Sequence, residues 1–358
     1  MYYIGSKQYL LPFIDECINK IVPIEKSHMT FCDLFAGTGI VGTHFKKKGC
    51  KIIANDIQYY SYVLNKQYIE NHKPLTFSGL CHIIPELTSF TKPVEKANCV
   101  CKYLSNIEGV DGFIYKNYCK GGTVGDEYER LYFTDENGKK CDAIRTVINQ
   151  WLNDKIITEN EYYFLLATLI ENIDKVANTA SVYGAFLKRI KRPAQKPLIM
   201  RPAEQIINSQ EHDVYCKPAN DLIKDIKADI LYLDPPYNER QYSAYYHLLE
   251  TIAKYDSPTL HGKTGLRDYS SQKSDFCVKS KVKEAFEDII LTADVKYIFL
   301  SYNNEGLMTF EEIENIMSKR GQYGRFEREY SRFKADKTGA RNHKAESTIE
   351  YLHWVICK

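Results

Sequence analysis

A strand, a glycine loop, a helix, a second strand and an acid follow one another early in the sequence, and this order most constrains the fold. The apolar run FCDLF at 31–35 leads into AGTGIVG, and the helical stretch that follows ends at Gly49. KIIAND at 51–56 is predicted as the second strand, and apolar residues recur at helical spacing after it. This alternation is typical of a doubly wound parallel sheet, so we predict an α/β fold.

Residues 74–210 interrupt the alternation of strands and helices. They hold a turn-rich stretch and two strong helical patterns, the second of which starts with Thr158 and Glu161 at capping-box spacing. We therefore predict a mostly helical insert within one α/β domain, which residues 1–73 and 211–358 form.

After the insert, strands and helices alternate again. Five strand-like runs lie at 213–216, 228–233, 295–303, 325–333 and 348–357. Helices are predicted from the pattern at 243–255 and from the capping pair Thr309 and Glu312. Two polar, basic stretches, 257–281 and 334–346, are predicted to be mobile loops.

Composition excludes several classes of protein. The chain has 358 residues, of which 44% are hydrophobic and 26% charged, and this mix excludes collagen-like, disordered and membrane-spanning proteins. Its 48 basic and 46 acidic residues give a net charge of +2, so nucleic-acid binding would require local basic patches. The 28 tyrosines each join a flat stacking face to a hydrogen-bonding tip.

The cysteines, the histidines and the first residues give no sign of a metal site or of export. The 11 cysteines form no CxxC pair and the histidines lack HExxH spacing, so we predict reduced thiols, no metal and a packed role for His247. The start of the sequence lacks the pattern of a signal peptide, and no apolar run approaches the roughly 18 residues of a membrane span. We therefore expect a cytoplasmic protein without membrane contact.

Gly37 and Gly39 lie in the turn after the first predicted strand. Without a Cβ they let a ligand approach the backbone, although the spacing matches the dinucleotide fingerprint GxGxxG only in part. Asp56 ends the second strand, where Rossmann-like sheets place an acid that accepts bonds from ribose hydroxyls. Capping of the next helix is an alternative role for Asp56, and the two roles are compatible.

Asp234, Pro235, Pro236 and Tyr237 directly follow the apolar strand ADILYL. The prolines cannot continue the ladder, so the strand ends with its polar groups at the ligand edge of the sheet. A carboxylate and a carbonyl there could accept both hydrogens of an adenine amine, whose lone pair could then attack a methyl sulfonium. Tyr237 would stack on the base. A proline turn that only caps the strand is the alternative, but the aromatic residue and the glycine loop favour methyl transfer.

With these motifs the chain resembles the DNA adenine-specific methyltransferases of the Dam-like, alpha-group family. The resemblance rests on YIGSK at 3–7, DLFAGTG at 33–39, DPPYNERQY at 234–242 and LSYNNEG at 300–306, and the last two match a restriction-modification branch. It implies a Rossmann-like methyltransferase sheet, S-adenosylmethionine as cofactor, duplex DNA as partner, and methylation of a flipped adenine at its exocyclic amine. It also implies a monomer and leaves open whether a cognate restriction endonuclease is encoded nearby.

The resemblance further implies which residues surround the cofactor. They are Tyr3, Lys7, Phe35, Gly37, Gly39, Asp56, Asn220, Asp221 and Asp234, the last of which would also serve the adenine. Tyr3 and Lys7 would flank the methionyl end of the cofactor, and Asp56 would contact its ribose. Either Asn220 or Asp221 would contact its adenine ring.

Residues 188–201 contain six basic side chains and no acid, a pattern typical of a phosphate-binding surface. The six are Lys188, Arg189, Lys191, Arg192, Lys196 and Arg201. A solvated basic face is the alternative. In the light of the resemblance, the insert would be the target-recognition domain. Four residues after the DPPY loop are candidates to hold the flipped nucleotide or the orphaned strand: Asn238, Arg240, Gln241 and Tyr242.

Two other functions compete with adenine methylation of DNA. One is the same chemistry on cytosine in DNA or on adenine in structured RNA, and Asp at position 234 together with the large insert argues against it. The other is a non-catalytic DNA-binding specificity module, against which the intact DPPY argues. The recognition sequence is not predicted, because base contacts depend on which element enters which groove.

Overall fold

The protein, described here by a computed structural model, divides into two compact units. The described residues are 4–23, 29–331 and 347–358. The sheet unit comprises Gly5–Asn65, Gln210–Tyr242 and Ser271–Lys358, and the helical unit comprises Ile4, Lys66–Ser209 and Ser243–Ser270. The predicted loop at 334–346 lies outside the described residues.

The described part of the chain contains nine β-strands and twelve α-helices. Its nine strands are β1 (Thr30–Asp33), β2 (Lys51–Asn55), β3 (Asp213–Tyr215), β4 (Ile230–Leu233), β5 (Leu260–His261), β6 (Leu266–Arg267), β7 (Tyr297–Asn303), β8 (Gly321–Ser331) and β9 (Ser347–Cys357). Its twelve α-helices are α1 (Leu11–Ile21), α2 (Ile40–Lys47), α3 (Tyr59–Asn65), α4 (Pro93–Asn106), α5 (Phe113–Tyr118), α6 (Asp135–Asn153), α7 (Glu159–Lys175), α8 (Ala219–Leu222), α9 (Tyr242–Tyr245), α10 (His247–Lys254), α11 (Val282–Thr292) and α12 (Phe310–Met317).

Seven strands of the sheet unit form one sheet, in the order β3-β2-β1-β4-β7-β9-β8. The strands from β3 to β7 in this order pair in parallel, whereas β9 pairs antiparallel with both β7 and β8. The predicted α/β fold is therefore confirmed. The sheet is mixed rather than wholly parallel, because the last two strands of the chain are antiparallel neighbours, which need no helical crossover.

The strand order reverses beside β1. Strands β2 and β3 lie on one side of it, and β4 and β7 lie on the other. In the register of the two central strands Asp33 is the partner of Tyr232, so β1 and β4 end at the same edge. Ligands of open α/β sheets bind in the crevice at such a reversal, outside the carboxyl ends of the strands. This edge is where a functional site is expected.

Helices cover both faces of the central strands. On one face, Leu231 and Ile298 belong to a fully buried apolar cluster with Phe286 of α11 and Ile313 of α12. On the other face, Phe31 stacks on Phe45 of α2 with ring centroids 4.2 Å apart. Strands buried on both faces have few polar side chains, which explains the continuous apolar runs in the sequence.

Both predicted capping boxes are present. The Thr158 hydroxyl accepts a bond from the Glu161 N–H at the start of α7, and the Thr309 hydroxyl accepts one from the Glu312 N–H at the start of α12. Each glutamate side chain accepts a bond from its N-cap N–H in return. Each capping box is formed by two residues only three positions apart, so both helix starts could be predicted from the sequence.

The helical unit contains α10 because a buried arginine ties it to the insert. Arg145 of α6 donates from Nε to the carbonyl of Ile252 at 3.1 Å and from Nη2 to that of Ala253 at 3.1 Å. These carbonyls lie in the last turn of α10, where cations are favourable. The helical unit thus extends beyond the predicted insert at 74–210, since it begins at Lys66 and includes Ser243–Ser270.

The stretch 257–281, predicted to be a mobile loop, contains regular structure. Strands β5 and β6 form an antiparallel hairpin within it, and two 3-10 helices follow. Arg130 donates from Nη2 to the carbonyl of Gly262 and from Nε to that of Lys263, at 3.1 and 3.2 Å. The prediction of a loop was wrong because polar, glycine-containing sequence also suits a short hairpin.

None of the helices in the described ranges is long and apolar enough to cross a lipid bilayer.

Candidate active site

Three acidic residues lie where parallel strands of the sheet unit end. Asp33 is the last residue of β1, Asp56 directly follows β2, and Asp234 directly follows β4. Because β2, β1 and β4 are parallel neighbours, their carboxyl ends share one edge of the sheet. The sequence therefore brings three carboxyl groups to the crevice where the strand order reverses.

The glycine loop between β1 and α2 depends on left-handed backbone. Gly37 has φ of 52° and Gly39 has φ of 76°, a region that side chains with a Cβ rarely adopt. The N–H of Gly37 donates to Asp56 Oδ2 at 2.9 Å, and its carbonyl accepts from Asn65 Nδ2 at 3.0 Å. The loop is thus held from β2 and α3, and Asn65 is a contributor that sequence reasoning missed.

Asp56 combines this contact with one to the next helix. Its Oδ1 accepts from the Gln58 N–H at 2.8 Å, just before α3 begins at Tyr59. This bond belongs to the turn before α3 and is not an N-cap bond, because Gln58, whose carbonyl accepts from the Tyr62 N–H at 3.0 Å, occupies the N-cap position. The role on a ribose stays a prediction, and it is compatible with these contacts because each carboxylate oxygen has two lone pairs.

Asp33 is a buried acid that was not among the predicted site residues. Its side chain is fully enclosed, and Oδ2 accepts from the Gly42 N–H at 3.1 Å in the first turn of α2. Burial raises the pKa of Asp33 to about 8, against the effect of the Gly42 N–H, and the charges of Asp234 and Asp56 add to the increase. Asp33 is therefore mostly neutral at pH 7 and adds little negative charge to this edge of the sheet.

Lys7 joins Asp234, which follows β4, to β9, which lies two places from β4 in the sheet. Its Nζ lies 3.0 Å from Asp234 Oδ1 and 3.0 Å from Glu350 Oε1 on β9. The Lys7 and Glu350 side chains are 4% and 2% exposed, and that of Asp234 is 17% exposed. Lys7 Nζ also lies 5.4 Å from the ring centroid of Tyr237. The structure therefore brings together the two predicted residues Lys7 and Asp234 and adds Glu350, which no sequence motif indicated.

The charges of this cluster oppose the cost of burial. Burial raises the pKa of Asp234 to about 6, with Lys7 acting against the shift and Glu350 adding to it. Burial lowers the pKa of Lys7, but Asp234, Tyr237 and Glu350 outweigh it and leave that pKa well above its usual value. At neutral pH Lys7 is charged and Asp234 is ionised, whereas Asp234 takes up a proton in mild acid.

The loop after Asp234 is supported by the segment that follows β7. The Tyr237 ring packs edge-on against Tyr302, with centroids 5.9 Å apart, and its carbonyl accepts from the Leu307 N–H at 3.1 Å. A Cβ at Gly306 would lie 2.0 Å from the Tyr302 ring, so this position requires glycine. These contacts join the DPPY and LSYNNEG stretches in the structure. Pro235 is buried, and Pro236 and Tyr237 are half-buried.

The remaining predicted cofactor residues differ in their surroundings. Phe35 is half-buried and packs edge-on against Phe276, with centroids 4.9 Å apart. Asn220 donates from Nδ2 to the Ala285 carbonyl and to Asp288 Oδ2 of α11, at 2.9 and 2.7 Å, while Asp221 is exposed. A contact of either residue with a cofactor stays a prediction, and Tyr3 lies outside the described residues.

Residues just after the DPPY loop form hydrogen bonds with other residues of the same chain. Gln241 donates from Nε2 to the Ser274 carbonyl at 3.2 Å and accepts from the Ser274 N–H at 2.8 Å. Asn238 Oδ1 accepts from the Arg240 N–H at 3.0 Å, and the Arg240 side chain is exposed. Tyr242 is half-buried. A nucleotide contact stays a prediction for all four, and the Gln241 amide is already engaged by backbone.

The basic segment, residues 188–201, is a surface of the helical unit. Five of its cations are exposed and form no ion pair with acids of the described chain: Lys188, Arg189, Arg192, Lys196 and Arg201. Lys191 differs, because its Nζ donates to the Thr179 carbonyl at 2.6 Å and burial lowers its pKa. The predicted phosphate-binding pattern thus corresponds to five solvated cations.

Two buried asparagines, which sequence reasoning missed, hold the basic segment in place. Asn178 donates from Nδ2 to the Leu187 carbonyl at 3.0 Å and accepts from the Lys191 N–H at 3.0 Å. Asn137 donates to the Lys196 carbonyl at 2.9 Å and accepts from the Leu198 N–H at 2.8 Å. Asn137 lies in the first turn of α6 and Asn178 follows α7, and neither belongs to a motif that the sequence could indicate.

Replacing Asn178 with Ala is expected to lower the free energy of unfolding by about 1–3 kcal/mol, because it leaves buried backbone groups without partners. Urea unfolding of the variant measures this. Asn98→Ala is the matched control, since its side chain makes one exposed bond, to the Val94 carbonyl at 2.8 Å. Equal stability of Asn178→Ala and the control would show that the segment does not depend on this clamp.

His247 is packed within the helical unit, as expected. It is fully buried, and its Nε2 lies 2.9 Å from the Tyr183 carbonyl. Burial lowers the pKa of His247 to about 4, so the ring is neutral at physiological pH. Among the described residues, no three or more His, Cys, Asp or Glu side chains are arranged to hold a metal ion.

The fold and this edge define the class of protein. A reversing, mostly parallel sheet with a glycine loop after β1, an acid after β2 and a DPPY loop after β4 is a Rossmann-like methyltransferase sheet. The family profile described as D12 class N6 adenine-specific DNA methyltransferase matches residues 3–316. The chain belongs to this family, and the family predicted from its motifs is confirmed.

Individual relatives cover the chain almost completely. The type II methyltransferase M.NlaIII of Neisseria lactamica is 52% identical over 99% of this chain and 98% of its own length. M.CviAII of Paramecium bursaria Chlorella virus 1 is 32% identical over 99% of this chain and 97% of its own length. M.FokI of Planomicrobium okeanokoites is 40% identical over 99% of this chain, which spans only 52% of that relative.

Proposed function

We propose that the protein transfers a methyl group from S-adenosylmethionine to the exocyclic amine of an adenine flipped out of duplex DNA. The observation that carries this proposal is the Asp234 carboxylate at the carboxyl edge of β4. One of its oxygens, Oδ1, is bound by Lys7, and the other has no partner among the described residues. An ionised acceptor with one open oxygen, beside a glycine loop, suits an amine nucleophile.

The residues at the sheet edge fit the proposed cofactor. The positive φ angles of Gly37 and Gly39 allow close approach to the loop backbone, Phe35 offers a half-buried ring, and Asp56 adds negative charge. S-adenosylmethionine would supply a methyl group on a positively charged sulfur. Asp234, which is ionised at neutral pH, favours a cation at this edge over an anion.

The DPPY loop would act on the target base. Asp234 would accept a hydrogen bond from one N–H of the amine and a main-chain carbonyl of the loop would accept one from the other, so the nitrogen lone pair is directed toward the methyl donor. As the new N–C bond forms, the bond between sulfur and the methyl carbon would break with its electron pair left on sulfur, and the amine would release one proton to solvent. Tyr237 stacks on the base, a contact worth about 1–3 kcal/mol. Positioning and preorganised acceptors do this work, and no covalent bond between protein and substrate is needed.

The basic segment would bind the phosphates of the duplex. Extraction of one base costs a few kcal/mol, which contacts to the rest of the DNA must offset. The relatives named as type II methyltransferases favour a role as the modification enzyme of a restriction-modification system, with a cognate endonuclease encoded nearby. We expect a monomer that acts on genomic DNA in a prokaryotic cytoplasm.

Methyl transfer from labelled S-adenosylmethionine into duplex DNA, followed by nucleoside digestion, tests the proposal. The expected product is N6-methyladenine. Label found only in methylcytosine, or only when RNA is the substrate, would overturn it. Sequencing genomic DNA from a host that expresses the protein, with detection of modified adenines, would then identify the recognition site.

Replacing Arg189 and Arg192 together with Ala is expected to weaken binding to all duplex sequences alike. Each lost phosphate contact should lower the slope of log K against log salt by about 0.9. Fluorescence anisotropy over a salt series measures both quantities. Lys92→Ala with Lys120→Ala removes two other exposed lysines of the helical unit as a control. An unchanged slope in the arginine variant would mean that the basic segment is only a solvated face.

A further inference from the structure

Glu350 is a fully buried acid that takes no part in the methyl transfer proposed above. It lies on β9 opposite Asn303 of β7 and is 1% exposed. Its Oε1 accepts from Ser301 Oγ at 2.6 Å and lies 3.0 Å from Lys7 Nζ. Ionised side chains are almost never fully buried unless they are paired, so these two contacts must account for its place in the sheet.

The ammonium group of Lys7 is shared between two carboxylates. Its Nζ lies 3.0 Å from Asp234 Oδ1 and 3.0 Å from Glu350 Oε1. With all three groups ionised the charges are +1, −1 and −1, so the cluster has a net charge of −1. Lysine is a compact point charge on a flexible stem, so its position depends on which carboxylates surround it.

The contacts of Lys7 leave one oxygen open on each carboxylate. Within the described ranges, Asp234 Oδ2 has no partner, and Glu350 Oε2 is buried without one. Without the attraction of Glu350, only Asp234 would attract the Lys7 ammonium. Lys7 could then contact both oxygens of the Asp234 carboxylate. Glu350 and Ser301 therefore limit what Lys7 can cover.

We propose that Glu350 is a positioning residue, which, held by Ser301, keeps the ammonium of Lys7 on one oxygen of Asp234 and leaves the other open to the substrate amine. This inference rests on the proposed function, because it assigns the open oxygen to the amine. Glu350 does not touch the reacting atoms, and it acts only through Lys7.

The charges around Asp234 give the inference a measurable consequence. The ionisable groups that act on Asp234 are Lys7 from the segment before α1, Glu350 from β9, Tyr232 from β4 and Asp33 from β1, and Tyr237 from the DPPY loop acts on Lys7. Burial raises the pKa of Asp234 to about 6, Lys7 opposes this, and Glu350 adds to it. Removing the charge of Glu350 should therefore lower the pKa of Asp234.

Glu350→Gln tests the inference through the pH dependence of kcat/KM. The acid limb of the wild-type profile reports protonation of Asp234, and in the variant it should move to lower pH by about 1 unit. The plateau rate should also fall, because Lys7 covers more of Asp234. If Glu350 only packed the sheet, the rate would fall by the same factor at every pH, and the inference would be overturned.

Two control variants separate charge from shape. Glu350→Asp keeps the negative charge, so its acid limb should stay at the wild-type position even if the rate falls. Glu327→Gln makes the same chemical change at an exposed position of β8, and it should leave the profile unchanged. A shifted limb in Glu327→Gln would show that net charge, rather than Glu350, sets the profile.

A second readout needs neither DNA nor turnover. In protein labelled with ¹³C at the aspartate carboxyls, the Asp234 signal is assigned by its loss in Asp234→Asn, and its titration midpoint should fall in Glu350→Gln. If this midpoint shifts but the wild-type protein methylates no DNA, the proposed function fails while the control of Asp234 by Glu350 stands. If methylation occurs but neither the midpoint nor the acid limb moves, the inference alone fails.

Discussion

Asp234→Ala is expected to abolish methyl transfer while leaving the protein folded. Loss of one preorganised polar group at a reacting centre lowers the rate by about 10²–10³-fold, and here the same residue also orients the amine, so the loss should be at least this large. The fold should persist because Lys7 keeps its second buried partner, Glu350, at 3.0 Å. Incorporation of labelled methyl groups measures the rate, and circular dichroism measures the fold.

Methylation gives the decisive comparison for this variant, because DNA binding should be retained in either case. If the protein were a non-catalytic specificity module, Asp234→Ala would change nothing that depends on DNA. We expect instead that binding to duplex DNA is retained while methylation is lost. Asp294→Ala removes a carboxylate that is 65% exposed and pairs with Lys227, so it should keep full activity. Asp234→Asn, which preserves the side-chain volume, repeats the test if the alanine variant unfolds.

Lys7→Met is expected to give the largest loss of stability. It leaves Asp234 and Glu350 buried side by side without their shared cation, and removal of one partner from a buried ion pair costs about 3–5 kcal/mol. The surface pair of Lys20 with Glu16, whose side chains are 55% and 63% exposed, offers a matched control. Lys20→Met should cost no more than about 1 kcal/mol.

The loss in Lys7→Met should depend on pH in a defined direction. Without the cation, the pKa of Asp234 in the folded protein rises further above its unfolded value, since burial already raises it to about 6. Such a group favours folding when protonated, so stability falls as pH increases from the unfolded pKa through the folded one. Urea unfolding at pH 5 and pH 8 should therefore show the greater destabilisation at pH 8.

A second substitution checks the cause of this effect. In Lys7→Met combined with Glu350→Gln, the buried cluster retains only one acid, so part of the lost stability should return at pH 8. Equal stability of the single and double variants, or a loss that does not change with pH, would show that Lys7 contributes by packing rather than by charge.

Local sequence was sufficient for the strands, the two capping boxes and the glycine loop. Each depends on residues within a few positions of one another, such as Thr309 with Glu312, or on backbone that only glycine adopts readily, as at Gly39. The family was predictable for the same reason, because its motifs are short contiguous stretches. The six basic residues at 188–201 were predicted as a set, although Lys191 proved to be an internal contact.

The extent of the helical unit could not be derived in this way. The helix predicted at 243–255 follows the DPPY loop closely in the sequence, and its own pattern is that of any amphipathic helix. Its carbonyls are bound by Arg145, more than a hundred residues earlier in the chain. Such a contact leaves no periodic trace in the sequence around either partner.

The α/β alternation, the order of the motifs and the position of Asp234 at the end of a strand were readable from the sequence, because periodicity and turn chemistry act over short distances. Only the tertiary structure decided that Lys7 would stand between Asp234 and Glu350. These three residues belong to the N-terminal segment, the loop after the fourth strand and the last strand, and they meet because the sheet brings those elements together. A buried charge is costly unless an opposite charge lies beside it, and that partner can come from any part of the chain that the fold brings close.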